Sequence, residues 1–230
     1  MTRVAGVDGC PGGWIAAVVE DDGTGLTWQR RPDAAGVLGL LDHPGVAVIG
    51  IDIPIGLPSP GEVRACDRLA RARLGPRRSC VFPAPARVVL AEDDFWRANE
   101  VSRRVSGVGL SKQAFFIGAR IVDVDRAVDA GLADRVIEVH PELTFARLAG
   151  RPIGTKKTAQ GIEERARLLQ TWVPDIREHV ARRPPRVRAD DALDAVAAAW
   201  TAARWTQGSA DTLPADPVHD ERGLPMRIVT

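Results

Sequence analysis

The run VAVIGIDI, residues 46–53, decides the fold. It is almost wholly apolar, shorter than a typical helix, and lacks the alternation of a strand with one wet face, so it reads as a central strand buried on both sides. Pro54 stops it, and the IGLPSPG that follows cannot continue a ladder, which leaves Asp52 near the strand's C-terminal end. Upstream, Val4–Val7 is a short β-branched run ending at Asp8, and after the glycine-rich GCPGG a second run covers Trp14–Val19. Asp21, Asp22 and Gly23 supply turn chemistry before a third run at Leu26–Arg31. The opening is therefore an antiparallel meander. Asp33 is placed to cap a short helix through Leu41.

Downstream, Arg135–Val139 is another buried strand, ending at His140, and Pro141–Leu148 starts a helix with proline where proline is tolerated. Helical spacing covers Glu62–Leu74, Glu92–Arg104, Ser111–Ala130, Thr158–Trp172, Asp175–Arg182 and an alanine-rich stretch from Asp190 to about Trp205. Pro76, Pro83 and Pro85 force an extended stretch around SCVFPAP. The tail from Leu213 to Val229 fits a hairpin turning at Glu221–Gly223. This order predicts an α/β protein with a mixed sheet, antiparallel at its start and parallel afterwards, flanked by helices.

A chain of 230 residues can bury a full core, and one domain is expected rather than two. Hydrophobic residues at 45% and charged residues at 27% exclude a mainly disordered chain. No signal-peptide pattern opens the sequence, and no apolar run approaches the roughly 20 residues of a membrane span. Three cysteines, Cys10, Cys66 and Cys80, without CxxC spacing speak against a disulfide framework or a zinc knuckle and point to a reducing, cytoplasmic setting. A net charge of +1 provides no whole-molecule field for nucleic acid. The densest basic run, Arg64 to Arg78 with Arg68, Arg71, Arg73 and Arg77 between, reads as a solvated helix face.

The chemistry lies in scattered carboxylates. Asp8 follows the first strand, Asp52 closes the fourth, Glu138 lies near the end of the fifth, and Asp191 and Asp194 stand three apart on the last long helix. Element ends are where ligands bind in open α/β sheets. Carboxylates collected there repel one another unless a cation intervenes, and hard oxygen donors suit Mg2+ or Mn2+. Asp190 has the ordinary reading of an N-cap and Asp191 that of a first-turn acid, whereas Asp194 stands among alanines where a core residue belongs. DGCPGG serves either a hairpin or a phosphate-facing loop. SGVGLSK (Ser106–Lys112) lacks P-loop spacing, which excludes that motif. His140 reads as a packing histidine ahead of a base, and Lys156 and Lys157 in GTKKT as a polar loop ahead of a phosphate grip.

Taken together, GVDGCPGGW, IDIPIGLP, CDRLAR with SCVFPAP, SKQAFFIGARIVDVD, EVHPELTFARLAG, KKT with a following ER, and DDALDAVAAAW resemble the DUF429 family over nearly the whole chain. The resemblance implies a predicted nuclease branch of the ribonuclease H-like superfamily: a mixed five-stranded sheet whose acids serve two metals. The sequence is read as a single domain with a C-terminal hairpin at about 213–230, and it departs from the superfamily's pattern in a long helical insertion after strand four, about residues 62–130. In the superfamily's Holliday-junction resolvases the site takes one acid from strand one, one ending strand four and a DxxD-like pair on the last helix, positions matched by Asp8, Asp52, Asp191 and Asp194. Strand four supplies aspartate where resolvases often have glutamate.

On this resemblance Asp8 bridges two ions about 4 Å apart, Asp52 and Asp194 hold one each, and Asp191 and Glu138 complete the ligand shell. Arg78, Lys112 and Lys157 are the cations for neighbouring phosphates. The partner is then nucleic acid or a phosphorylated small molecule. An ATP-dependent phosphotransferase of the actin and sugar-kinase type is the alternative, although such proteins need a second related domain that this length hardly permits; a non-catalytic binding protein is the other.

Overall fold

A computed structural model describes residues 2–230. In chain order it contains β1 (Arg3–Cys10), β2 (Gly13–Glu20), β3 (Thr27–Arg31), α1 (Ala34–Leu38), β4 (Val46–Ile51), α2 (Ala65–Leu74), α3 (Arg87–Leu90), α4 (Phe95–Ser106) and α5 (Lys112–Ala127). These are followed by β5 (Val136–Glu138), α6 (Pro141–Ala149), α7 (Ala159–Leu169), α8 (Ile176–Ala181) and α9 (Ala189–Thr206). The chain divides into two compact units: one holds the sequence through Asp52, Asp134–Asp211 and Val229–Thr230, the other Ile53–Ala133 and Thr212–Ile228.

The first unit is built on a five-stranded sheet of order β3-β2-β1-β4-β5. β1 pairs antiparallel with β2, and β2 with β3, while β4 lies parallel to β1 and β5 parallel to β4. This is the mixed five-stranded sheet, antiparallel at its start and parallel afterwards, that the sequence predicts. Pro11 and Gly12, the latter at positive φ, make the β1–β2 turn between the paired Cys10 and Gly13, so GCPGG forms a hairpin. β1 runs on to Cys10, so Asp8 stands inside the strand opposite Ile15 rather than beyond its end; the turn glycines let pairing continue two residues further than the apolar run suggests.

α9 covers one face of the sheet at unusually close range. A Cβ on Gly6 would come within 2.0 Å of Ala195 O and Ala199 N, and one on Gly50 within 2.6 Å of Ala198 O. Glycine on the strands and alanine on the helix are therefore a matched set. Ala192, Ala195, Ala198, Ala199 and Ala202 are fully buried there with Val4, Val48 and Val139. An alanine-rich helix has little rotamer entropy to lose, so the close approach costs little conformational freedom.

In the second unit, the basic run is only partly a solvated face. Arg64 has no exposed side-chain surface and pairs with Asp67 at 2.6 Å. Its guanidinium also donates to the carbonyls of Ile55 (3.1 Å) and Gly56 (3.0 Å), while Asp67 accepts from the Ala84 amide at 2.9 Å. This ion pair thus ties the IGLP and FPAP loops to the start of α2. The expected tail hairpin is present as a short loop in which Met226 N donates to Val218 O at 2.9 Å. A mostly apolar cavity of about 370 Å³, lined by Val81, Pro83, Val89, Val105, Leu110 and Ala114 among others, lies wholly within this unit.

Candidate active site

Strand register brings the first two acids together. Val7 is the partner of Ile51, and the Asp52 amide donates to Val7 O at 3.0 Å, so Asp8 and Asp52 stand side by side one step further along. Because side chains alternate along a strand, Asp8 follows Gly6 and Asp52 follows Gly50 onto the face covered by α9. From Gly6 to Asp8 is about 6.6 Å at roughly 3.3 Å per residue. From the middle of the Ala195–Ala199 contact back to Asp194 is about 4.5 Å at roughly 1.5 Å per residue, in the same direction. The small-residue interface therefore sets three acids, from β1, β4 and α9, at one end of one sheet face.

Asp8 is 9% exposed and Asp194 2%. Asp8 Oδ1 accepts the Gly9 amide at 2.7 Å. Asp194 Oδ2 is ion-paired with the Lys156 ammonium. Lys156 sits on the loop between α6 and α7, and Arg165 of α7 fixes that loop. Arg165 is fully buried, donates to Gly154 O at 3.0 Å and Gly161 O at 3.0 Å, and binds Glu142 Oε1 at 2.7 Å. The ER after KKT is thus the anchor of the lysine loop.

Burial pushes the Asp8 carboxyl well above the usual carboxylate range, and the charges of Asp52, Asp194 and Asp191 push it further while Lys156 pulls it back. Burial also raises Asp52, against the opposing pull of His140 and Lys156, with Glu142 adding to the rise. Asp194 is pushed up to about 6 by burial, with Asp52 and Glu142 adding to the rise and Lys156 opposing it. Asp191 is raised by burial and by Asp190. Burial works against the charge of Lys156, but Asp194 and Asp8 outweigh it and hold the ammonium protonated beyond its ordinary range. Four carboxylates thus share the charge of this lysine, too little to leave them all comfortably ionised.

The remaining candidates are placed differently. Glu138 pairs with Ile51, not Asp52, which carries its side chain to the face opposite Asp8 and Asp52. His140 and Glu142, just beyond β5, act on Asp52 instead. Lys157 is exposed beside Lys156, and Arg78 and Lys112 are exposed residues of the other unit. Asp190 is not the helix cap. The N-cap falls two residues earlier than expected, at Arg188; Asp191 Oδ2 accepts the Arg188 amide at 3.4 Å, and Asp190 is held by the Arg188 guanidinium at 2.9 and 3.0 Å. Residues that sequence reasoning did not place in the site are Lys156 as the partner of Asp194 and Arg165 as the anchor of its loop.

A family comparison matches "Protein of unknown function (DUF429)" over residues 6–219. The chain belongs to the DUF429 family. Among curated proteins none matches significantly. Among solved structures, the "Thermus thermophilus RuvC structure" is similar at 14% identity and a TM-score of 0.37, over 90% of this chain and 98% of that one. The "T. thermophilus RuvC in complex with Holliday junction substrate" is similar at 15% identity and a TM-score of 0.38, over 91% and 98%. Likenesses this remote say nothing of substrate.

The donor set of this DUF429 protein fits a hard divalent ion in its chemistry: Asp8, Asp52, Asp191 and Asp194 offer oxygen ligands and an excess of negative charge. As placed, no three His, Cys, Asp or Glu side chains among the described residues form the joint shell of one ion. Nor is any helix among them long and apolar enough to cross a membrane.

Proposed function

We propose that this protein is a metal-dependent phosphodiester hydrolase of the ribonuclease H-like type, with Mg2+ or Mn2+ held by Asp8, Asp52 and Asp194, acting on nucleic acid or on a smaller phosphodiester in the cytoplasm. The observation that carries this reading is the convergence of Asp8, Asp52 and Asp194 from three elements on one sheet face, set by the strand register and the close helix contact, where burial raises all three and the charge of Asp52 raises Asp8 and Asp194 further. Bound there, a divalent ion supplies Lewis-acid charge stabilisation and acidifies a water.

The chain's own residues do the rest. Asp8, on the central strand between β2 and β4, would be the shared ligand, with Asp52 from the end of β4 and Asp194 from α9 completing the set. Asp191, held at the N-terminus of α9 by the Arg188 amide, orients the shell and keeps the helix end fixed. Burial of Asp8 and Asp194 excludes bulk water from their inner sides, which strengthens their hold on a cation. Lys157, exposed on the same loop as Lys156, is the nearby candidate for a substrate phosphate.

The test is a manganese-dependent cleavage screen over branched DNA, RNA–DNA hybrid, single strands and simple phosphodiesters, with Asp8→Asn as control. Turnover that Asp8→Asn abolishes supports the assignment. Manganese binding without turnover on any of these makes the protein a binder, and absence of manganese binding removes the metal site.

A further inference from the structure

Lys156 occupies an unusual position for a lysine. Its ammonium is bonded to Asp194, which is 3% exposed at the side chain, and its charge acts on Asp8, Asp52 and Asp191 as well. Asp194 Oδ2, the atom it holds, belongs to one of the three carboxylates assigned above to the metal. An oxygen engaged by an ammonium has less electron density to give a second cation, and the two positive charges repel each other in a poorly solvated place. The two therefore compete.

The surroundings favour exchange over permanent pairing. The loop is pinned at Ile153, which is buried, at Gly154 through Arg165, and at Gly161, whose carbonyl accepts from Arg165 and whose amide donates to Thr158 Oγ1 at 3.0 Å. The backbone on both sides of Lys156 is thus fixed without help from its ammonium. The Lys156 side chain is 33% exposed, so a flexible four-carbon stem can swing its head to water while the loop stays in place.

We propose that Lys156 is a resident counter-cation: in the metal-free protein its ammonium takes the place of the divalent ion at Asp194, and it is displaced to solvent when that ion binds. This rests on the metal reading above. It gives the acidic cluster a counter-charge before metal binds, and it identifies the motion that loading requires. The carboxylate shell closes only when Lys156 has left.

Two measurements on the full chain test this, both with manganese chloride as the probe and neither relying on activity. In the first, acetylation of Lys156 by acetic anhydride is followed by peptide mass spectrometry, with Lys157 as internal reference. Lys156 is expected to be protected without metal and to become severalfold more reactive as manganese saturates the site, while Lys157 is unchanged. In the second, calorimetric titration compares wild type with Lys156→Met. The variant is expected to melt lower without metal and to bind manganese about tenfold more tightly, as follows when a competing like charge is removed from a poorly screened site. Manganese binding with Lys156 still protected, or with no gain in affinity in Lys156→Met, overturns the exchange and leaves the metal reading standing. If Lys156→Met does not fold, the acetylation result decides alone. Absence of manganese binding to wild type and variant alike overturns both.

Discussion

Asp194 is a carboxyl whose folded environment works against its charge, and that has a measurable sign. It titrates at about 6 in the folded chain against an ordinary 3.8. Between those values the folded protein holds a proton that the unfolded chain has already released, so unfolding free energy falls as pH rises through the window. Metal-free protein is therefore expected to lose stability from about pH 4 to about pH 6, by an amount on the order of 3 kcal/mol. Asp194→Asn should flatten that loss, match or exceed wild-type stability at neutral pH, and lose most of the manganese-induced rise in melting temperature. Urea titrations at a series of pH values measure the first two, and a steeper loss in the variant would contradict the assignment. Asp190 contrasts with it. Its partner Arg188 is 63% exposed, so solvent screens the pair, and Asp190→Ala should cost less than about 1 kcal/mol while sparing the metal response. Arg165 stands at the other extreme. Arg165→Met strands the buried Glu142 and two carbonyls, for an expected loss of about 3–5 kcal/mol by urea unfolding, much of it recovered on adding Glu142→Gln.

The contact of α9 with β1 and β4 carries the site, and its glycines can be tested separately from its acids. Gly6→Ala places a methyl group 2.0 Å from helix backbone that cannot rotate away. The helix must shift, so the substitution should cost at least about 3 kcal/mol and weaken the manganese response, although no ligand has been changed. Gly39, which has nothing within 4 Å and sits at φ −58, is the control: Gly39→Ala should be neutral or stabilise by a few tenths of a kcal/mol, roughly. Thermal melting of both variants with and without manganese compares them directly. The same elements show what can be read from sequence. The apolar runs at residues 4–7 and 46–51 and the alanine-rich helix place Asp8, Asp52 and Asp194 because each stands at a fixed point on an element whose burial is evident in composition. Glu138 could not be placed in this way. Its face depends on whether it pairs with Ile51 or Asp52, and a one-residue difference in register reverses every side chain on a strand. The cap differs for a related reason: Arg188, Asp190 and Asp191 crowd the start of the helix, and which of them stands at its end depends on a boundary that shifts by a residue or two. Lys156 lies in a loop with no periodicity, so nothing in sequence spacing links it to Asp194, 38 positions away.

At the scale of the whole chain, the acids belong to one unit and the largely apolar cavity to the other, so a response to metal should be regional. A ligand that binds only the folded form stabilises it by about 2.7 kcal/mol at a hundredfold excess over its Kd. For a chain of this size each kcal/mol raises the melting temperature by roughly 2–4 °C, so millimolar manganese should give a rise of several degrees if its Kd is in the tens of micromolar. Sodium at equal concentration should give none, because a single diffuse charge does not relieve repulsion among several buried carboxylates. Where the stabilisation falls is the sharper measurement. Hydrogen exchange with and without manganese should show added protection at the ends of β1 and β4 and in the first turns of α9. The Lys156 loop should keep the protection it owes to Arg165, since only the lysine side chain is expected to move. α4 and α5 contain none of the cluster and should exchange at the same rate in both conditions. Added protection concentrated in α4 and α5, with β1 and α9 unchanged, would place the cation in the second unit and remove the metal from Asp8, Asp52 and Asp194.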